Sequence, residues 1–186
     1  NKLEKEGLFD SKYKKKLPDI PEKIALICSE TGSVIHDILS ILHRRSPYLD
    51  IIIKHSLVQG KEASQCIITL IQKLNKKNNV DIIIIARGGG SLEDLMIFNS
   101  ESLVREIFKS SIPIITAIGH ETDFTLADFS SDKRAATPSE AAEICAPDIS
   151  SIYSDLDNYQ TIISNRLSNS VYKKKTLLNS YYLRIL

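Results

Sequence analysis

Four isoleucines in a row, Ile82 to Ile85, inside the run Val80-Asp81-Ile82-Ile83-Ile84-Ile85, constrain this chain more than any other feature. Side chains alternate between the two faces of a strand, so a strand that is apolar at every position has no face that can meet water. The run must be covered on both sides, and its β-branched residues suit a strand better than a helix. Apolar runs of the same kind recur at Lys23-Ile24-Ala25-Leu26-Ile27-Cys28, over residues 50–58, and at Ile112-Pro113-Ile114-Ile115-Thr116-Ala117-Ile118.

Between these runs the apolar period changes to that of a helix. Val34, Ile35, Ile38, Leu39, Ile41 and Leu42 share one face, residues 62–74 carry a second stripe, and Leu92 to Phe108 carry a third. Thr137-Pro138-Ser139-Glu140 reads as a capping box with proline at the first helical position. Strand and helix in alternation predict an α/β fold with a mostly parallel, doubly wound sheet. From about Asp148 onward glycine and proline vanish, and Ile149, Ile152, Leu156, Tyr159, Ile163, Leu167, Val171, Leu178 and Ile185 fall mostly three or four apart. A helix over 149–186 would reach about 55 Å, too long to lie on so small a domain. The expectation is a C-terminal helical arm, the stub of a coiled coil, with a helix folded back on the sheet as the plainer alternative. The domain reading is a basic linker at 1–20, an α/β domain at 21–148 and the start of the long helix at 149–186.

With 186 residues, 42% apolar and 25% charged, the chain suits one ordinary globular domain with residues to spare. A net charge of +1 does not advertise a nucleic acid or a membrane, but its distribution is uneven. Residues 1–16 and 151–186 each carry +3, and the stretch between them carries −5. Cys28, Cys66 and Cys145 lack disulfide or zinc spacing, which predicts a reduced, cytoplasmic protein. No apolar run approaches the roughly 18–20 residues a membrane span needs, and no secretory signal is recognisable. Because the first residue is Asn1 rather than Met, the chain is expected to be part of something longer.

In an open parallel sheet, ligands bind beyond the carboxyl ends of the strands, where the strand order reverses. Three loops there are polar and glycine-bearing: Ser29-Glu30-Thr31-Gly32-Ser33, Arg87-Gly88-Gly89-Gly90-Ser91 and Gly119-His120-Glu121-Thr122-Asp123. Three consecutive residues without Cβ let backbone N–H groups of Gly88, Gly89, Gly90 and Ser91 approach a phosphate closely, and Arg87 can clamp it. The plainer alternative is a glycine turn starting a helix capped by Ser91, with Glu93 and Asp94 placed for the helix dipole. His120 ends a buried strand and stands three residues before Asp123, a spacing that suits proton transfer by an oriented imidazole. Asp37, early in the first helix, can face the same cleft. Asp128 reads as a cap or as a partner of Lys133 or Arg134. His36, His43 and His55 read as surface residues.

At these loops the sequence resembles the catalytic domain of the large subunit of exodeoxyribonuclease VII, a bacterial single-strand DNA nuclease. The resemblance rests on Glu6-Gly7-Leu8-Phe9-Asp10, His36-Asp37-Ile38-Leu39, Leu57-Val58-Gln59-Gly60, Arg87-Gly88-Gly89-Gly90-Ser91-Leu92-Glu93-Asp94-Leu95 with Phe98-Asn99, Gly119-His120-Glu121-Thr122-Asp123, and Thr137-Pro138-Ser139 with Ala141-Ala142-Glu143, in that order. It implies hydrolysis of single-stranded DNA from either end into short oligonucleotides, with Asp37, Arg87, His120 and Asp123 as the catalytic set. It also implies an oligonucleotide-binding domain before Asn1, more coiled coil after Leu186, and small helical subunits on that coil. Self-association through the C-terminal helix is expected as well. No cofactor is required by the resemblance; a divalent metal is compatible but not implied. The chain departs from the family pattern at Ala86, Ala136 and Glu140, and Ala86 bears on the angle at which Arg87 leaves its strand.

Two rival readings stay open on the residues alone. One is a non-catalytic nucleotide- or phosphate-binding module that uses the glycine loop, which would have no need of His120 and Asp123. The other is a scaffold whose business is the helical arm. Without tryptophan and with few aromatics near its loops, the domain is expected to draw most of its grip on DNA from elsewhere.

Overall fold

The computed structural model describes residues 2–29, 33–57, 59–60, 62–88, 92–119 and 122–185, setting aside the side chains of Ser33, Leu92, Glu93 and 182–185. The chain divides into two compact units, Asn1–Pro147 and Asp148–Leu186.

Five parallel strands form the sheet of the first unit: β1 (Lys23–Cys28), β2 (Asp50–His55), β3 (Ile82–Ala86), β4 (Ile114–Ala117) and β5 (Lys133–Arg134), in the spatial order β2-β1-β3-β4-β5. The four-isoleucine run lies in the central strand, paired on both sides, with Ile84 opposite Leu26 and Ile115. Every residue of β3 is buried, as a run with no polar face requires. Alternate residues serve opposite layers. Ile24, Leu26, Ile82, Ile84 and Ile115 pack with helices α2 (Ser33–Arg45) and α7 (Pro138–Cys145), through Val34, Ile38, Leu42, Ala141 and Ala142. Ala25, Ile27, Ile83, Ile85 and Ile114 face helices α3 (Ala63–Lys77) and α5 (Glu101–Lys109), meeting Ile67, Ile71, Leu103 and Ile107. The sheet is doubly wound, as the alternation of periods predicts.

The helical stripe from Leu92 to Phe108 is not one helix. It breaks into α4 (Leu92–Leu95), a 3₁₀ turn at Met96–Asn99, and α5 after the extended Ser100. The break drives Phe98 fully into the core and frees the Asn99 carboxamide oxygen to accept from the Leu126 amide at 2.8 Å, at the start of helix α6 (Leu126–Ser130). The two-residue β5 also has no period to reveal it; backbone bonds from Asp132 N–H to Ile114 and from Ala135 N–H to Thr116 place it on the edge.

The basic segment ahead of β1 is packed on the domain. It opens with helix α1 (Lys2–Lys5), and Leu3 and Leu8 are buried against Val104, with Phe108 and Leu126 alongside. Arg105 pairs with Glu6 and Glu101; its hydrogen bond holds the Glu6 carboxyl below the usual glutamate range, and hydrogen bonds from Lys2 and then Arg105 do the same for Glu101. The Asp132 carboxylate, 3% exposed, accepts from the Lys15 amide and ammonium and from the Ile114 amide, tying the segment to the sheet edge.

The second unit is a single 37-residue helix, α8 (Ile149–Ile185). Leu156, Ile163, Leu167, Val171 and Leu178 are all exposed along it. Among the described residues, no helix is long and apolar enough to cross a membrane.

Candidate active site

The order β2-β1-β3-β4-β5 reverses between β1 and β3, because the chain steps from β1 outward to β2 and then returns to the other side of β1. Loops on the two sides of such a reversal diverge and leave a crevice at the strands' carboxyl ends. A cavity of about 200 Å³ lies there, lined in part by Asp37, Arg87, Gly88, Gly119, Thr137 and Pro138.

Arg87 follows β3 directly. Its amide donates to the Ala117 carbonyl at 3.0 Å, continuing the β3–β4 ladder by one residue past Ala86 and Ala117. The side chain is 5% exposed, and its Nη2 donates to Asp94 Oδ2 at 3.0 Å. A buried guanidinium needs such a partner, since an uncompensated charge in that setting is costly. Asp94 in α4 is therefore more than a favourable charge in a first helical turn: it pairs with the guanidinium of an arginine that lines the cavity. The sequence offered only the seven-residue spacing between the two, and the break after α4 is what makes the contact readable in hindsight. Gly88 sits close to Val34, where a Cβ would come within 3.2 Å of the valine methyl.

Asp37 lies one turn into α2 and is exposed. The β4 loop reaches the cavity through Ile118 and Gly119. A Cβ on Gly119 would stand 2.4 Å from the Asp123 carbonyl oxygen, so the loop can fold back on itself only with glycine there. Asp123 is half-buried and accepts from the Thr122 hydroxyl at 3.4 Å. Gly89, Gly90, Ser91 and His120 lie outside the described residues.

The amino end of α7 borders the same cavity. Thr137 caps it by accepting from the Glu140 amide at 3.0 Å, while the Glu140 carboxylate reaches back to the Ala136 amide at 2.6 Å. The reciprocal bond of a capping box is thus made one residue earlier than the sequence pattern predicts. Asp128 takes the role expected of Thr137 and Glu140: its Oδ2 accepts from the Thr125 amide at 2.9 Å, and the Thr125 hydroxyl accepts from the Asp128 amide, a complete box at the start of α6.

The aromatic content of this region differs from expectation. Phe124 follows Asp123, and its ring stacks on Phe129 with centroids 5.8 Å apart and planes 23° apart. Phe129 in turn meets Phe9 of the amino-terminal segment at 5.7 Å, and the Arg134 guanidinium lies 3.9 Å from the Phe124 centroid. Scattered through the sequence, these residues gave no joint signal. Among the described residues no group of three or more His, Cys, Asp or Glu side chains is arranged to hold a metal ion.

Fold and cavity together define a doubly wound α/β protein with its cleft at the switch point of the sheet and a buried, carboxylate-held arginine in that cleft. Its family follows from comparison with known proteins. The profile described as exonuclease VII, large subunit, matches residues 8–185. A protein of Clostridium tetani named exodeoxyribonuclease 7 large subunit is 53% identical over 179 residues, covering 96% of this chain and 45% of the relative. A Clostridium botulinum (strain Loch Maree / Type A3) protein of the same name is 47% identical over 184 residues, 99% of this chain and 46% of its own. A Listeria monocytogenes serotype 4b (strain CLIP80459) protein, again of that name, is 50% identical over 157 residues, 84% and 34% of the two chains. The chain belongs to the exonuclease VII large subunit family, and it spans less than half the length of these curated relatives.

Proposed function

We propose that this chain is the catalytic core of a nuclease that hydrolyses the phosphodiester bonds of single-stranded DNA from either end, releasing short oligonucleotides. The observation that carries the reading is the meeting of Arg87, Asp37 and the glycine-hinged β4 loop at one cavity on the switch point of the sheet. A phosphate-binding module needs the arginine alone, and a scaffold needs none of them. Family membership and the curated relatives' names support the same activity.

In this reading the Arg87 guanidinium and the Gly88–Ser91 amides bind the scissile phosphate and stabilise the extra charge it gains when water adds to phosphorus. The P–O bond to the leaving sugar oxygen then breaks, and the proton lost by water ends on that oxygen. His120, which follows Gly119 in the chain, moves this proton, with Asp123 orienting the imidazole. Asp37 supports the water or the histidine from the opposite wall. The residue set works without a metal, single-stranded DNA is the substrate, and small subunits bind along the coil that α8 begins. Exposed apolar residues on α8 support burial against a partner or a second copy of the chain. Three free cysteines, Cys28, Cys66 and Cys145, suit a reducing, cytoplasmic setting.

Degradation of single-stranded DNA by the full large subunit assembled with its small subunits, with and without chelator, tests the reading. Undiminished hydrolysis in chelator and its loss in Arg87→Ala are expected. No hydrolysis under either condition would leave the binding-module and scaffold readings.

A further inference from the structure

We propose that Phe124, Phe129 and Arg134 form a base-stacking subsite that holds single-stranded DNA beside the cleft, an inference that rests on the nuclease reading above. Two phenylalanines of a small domain stand in solvent at 56% and 46% exposure, stacked on each other rather than turned into the core. Phe98, by contrast, is fully buried. The Arg134 guanidinium lies over the Phe124 ring, 3.9 Å from its centroid. The ring surface that the Phe124–Phe129 stack and the guanidinium leave exposed, together with that cation, matches the two parts of a nucleotide, the base by stacking and its phosphodiester by charge. An apolar peptide would use the rings but not the cation.

The platform is also held rigidly, as a binding surface must be for stacking to outweigh the entropy of ordering. The Thr125–Asp128 box fixes the turn between the two phenylalanines, and Asn99 anchors the Leu126 amide. Phe9 closes the inner end of the column. Phe124 follows Asp123 and stands five residues after Gly119, which lines the cavity, so the platform is carried by the same stretch of chain that leaves β4 at the cleft. A nuclease that releases short oligonucleotides needs a grip on the strand beside its cleft, and the −5 charge of residues 17–150 gives it little help from bulk electrostatics.

The test uses the assembled enzyme and two oligonucleotides of equal length, one ordinary and one with abasic sites through its terminal nucleotides. On the ordinary strand, Phe124→Ala and Phe129→Ala should each raise KM by about 5- to 10-fold, the lower end of what stacking of a base on an aromatic ring supplies, with a smaller change in kcat. On the abasic strand the wild type should bind as weakly as the variants, and the substitutions should add nothing. Phe124→Trp should keep the affinity, whereas Phe124→Leu, which retains an apolar side chain without a ring face, should lose it and guards against a folding defect in the alanine variant. Wild-type KM in both alanine variants, or a loss that persists undiminished on the abasic strand, overturns the subsite. Failure of the nuclease reading shows separately, as a wild-type assembly that leaves single-stranded DNA intact; fluorescence anisotropy with the same two strands then still decides whether the rings bind bases.

Discussion

Gly119 is where the geometry makes its sharpest demand. A Cβ at this residue would meet the Asp123 carbonyl oxygen at 2.4 Å and the Asp123 Cβ at 3.0 Å. Non-bonded heavy atoms rest at about 3.5–4.0 Å, so Gly119→Ala has to push the two ends of the loop apart by roughly 1 Å. The obstacle is backbone, which cannot swing aside as a flexible side chain could. Overpacking of this kind costs about 1–3 kcal/mol. For a domain of this size each kcal/mol lowers Tm by about 2–4 °C, so a fall of roughly 2–12 °C is expected by calorimetry. Activity should suffer more than stability. A 1 Å displacement at a reacting group can cost on the order of 100-fold in rate, and the loop carries both His120 and Asp123. Single-turnover degradation of single-stranded DNA by the assembled enzyme reads that loss at temperatures well below the variant's Tm. A variant with wild-type Tm would show that the two ends of the loop do not approach as described. A lowered Tm with wild-type turnover would remove the loop from the catalytic machinery.

Asp94→Ala removes the carboxylate that pairs with the Arg87 guanidinium; because Asp94 is 28% exposed, the cost should be about 1–3 kcal/mol, below that of breaking a fully buried pair, and kcat should fall more than KM rises, with Asp94→Glu restoring part of both. Equal kcat in wild type and Asp94→Ala would make the pair purely structural. His120→Ala should lower kcat by about 10²–10⁴-fold while single-strand binding, followed by anisotropy, stays near wild type; near-normal turnover would return the histidine to a structural role. Burial pushes the Cys28 thiol up to about 11 and the Cys145 thiol up to about 12 from 9.0. The unfolded chain therefore releases these protons first, so their contribution to stability is complete below pH 9 and declines as pH rises towards 11 and 12. Urea titrations at pH 8 and pH 10 should show that decline, and a thiol reagent at pH 8 should modify Cys66 in the native protein well before the other two.

The sheet was legible because its strands announce themselves by an absence: β1, β3 and β4 have no polar face, and only a parallel sheet covered on both sides accommodates three such strands. What the sequence hid was decided by contacts between distant segments. Leu3 and Leu8 look like isolated apolar residues among lysines, yet both are buried, because Val104 and Phe108 on α5 leave an apolar patch that the first ten residues cover. The break at Met96–Asn99 has a similar origin. Its stripe keeps helical spacing, and the turn forms because it buries Phe98 and lends Asn99 to α6, gains that exceed one lost helical turn.

Legibility of the site divides along the same line. Arg87, Asp37 and Gly119 lie in or next to loops that a parallel sheet brings to one end, so strand order alone carries them to the cavity once each is assigned to a strand end. Asp94, Phe124, Phe129 and Arg134 act through pairings that depend on where α4 stops and where a two-residue strand adds to the edge. Neither boundary has a periodic signature. The division has a physical consequence for how the two groups respond to substitution. Residues placed by the sheet keep their positions when a neighbour is changed, because the ladder holds the strand ends. Residues placed by short elements at the edge depend on one another, so paired substitutions at Phe124 and Arg134 should be non-additive, while changes at Asp37 in α2 and Phe129 in α6, which lie on separate helices, should add in free energy.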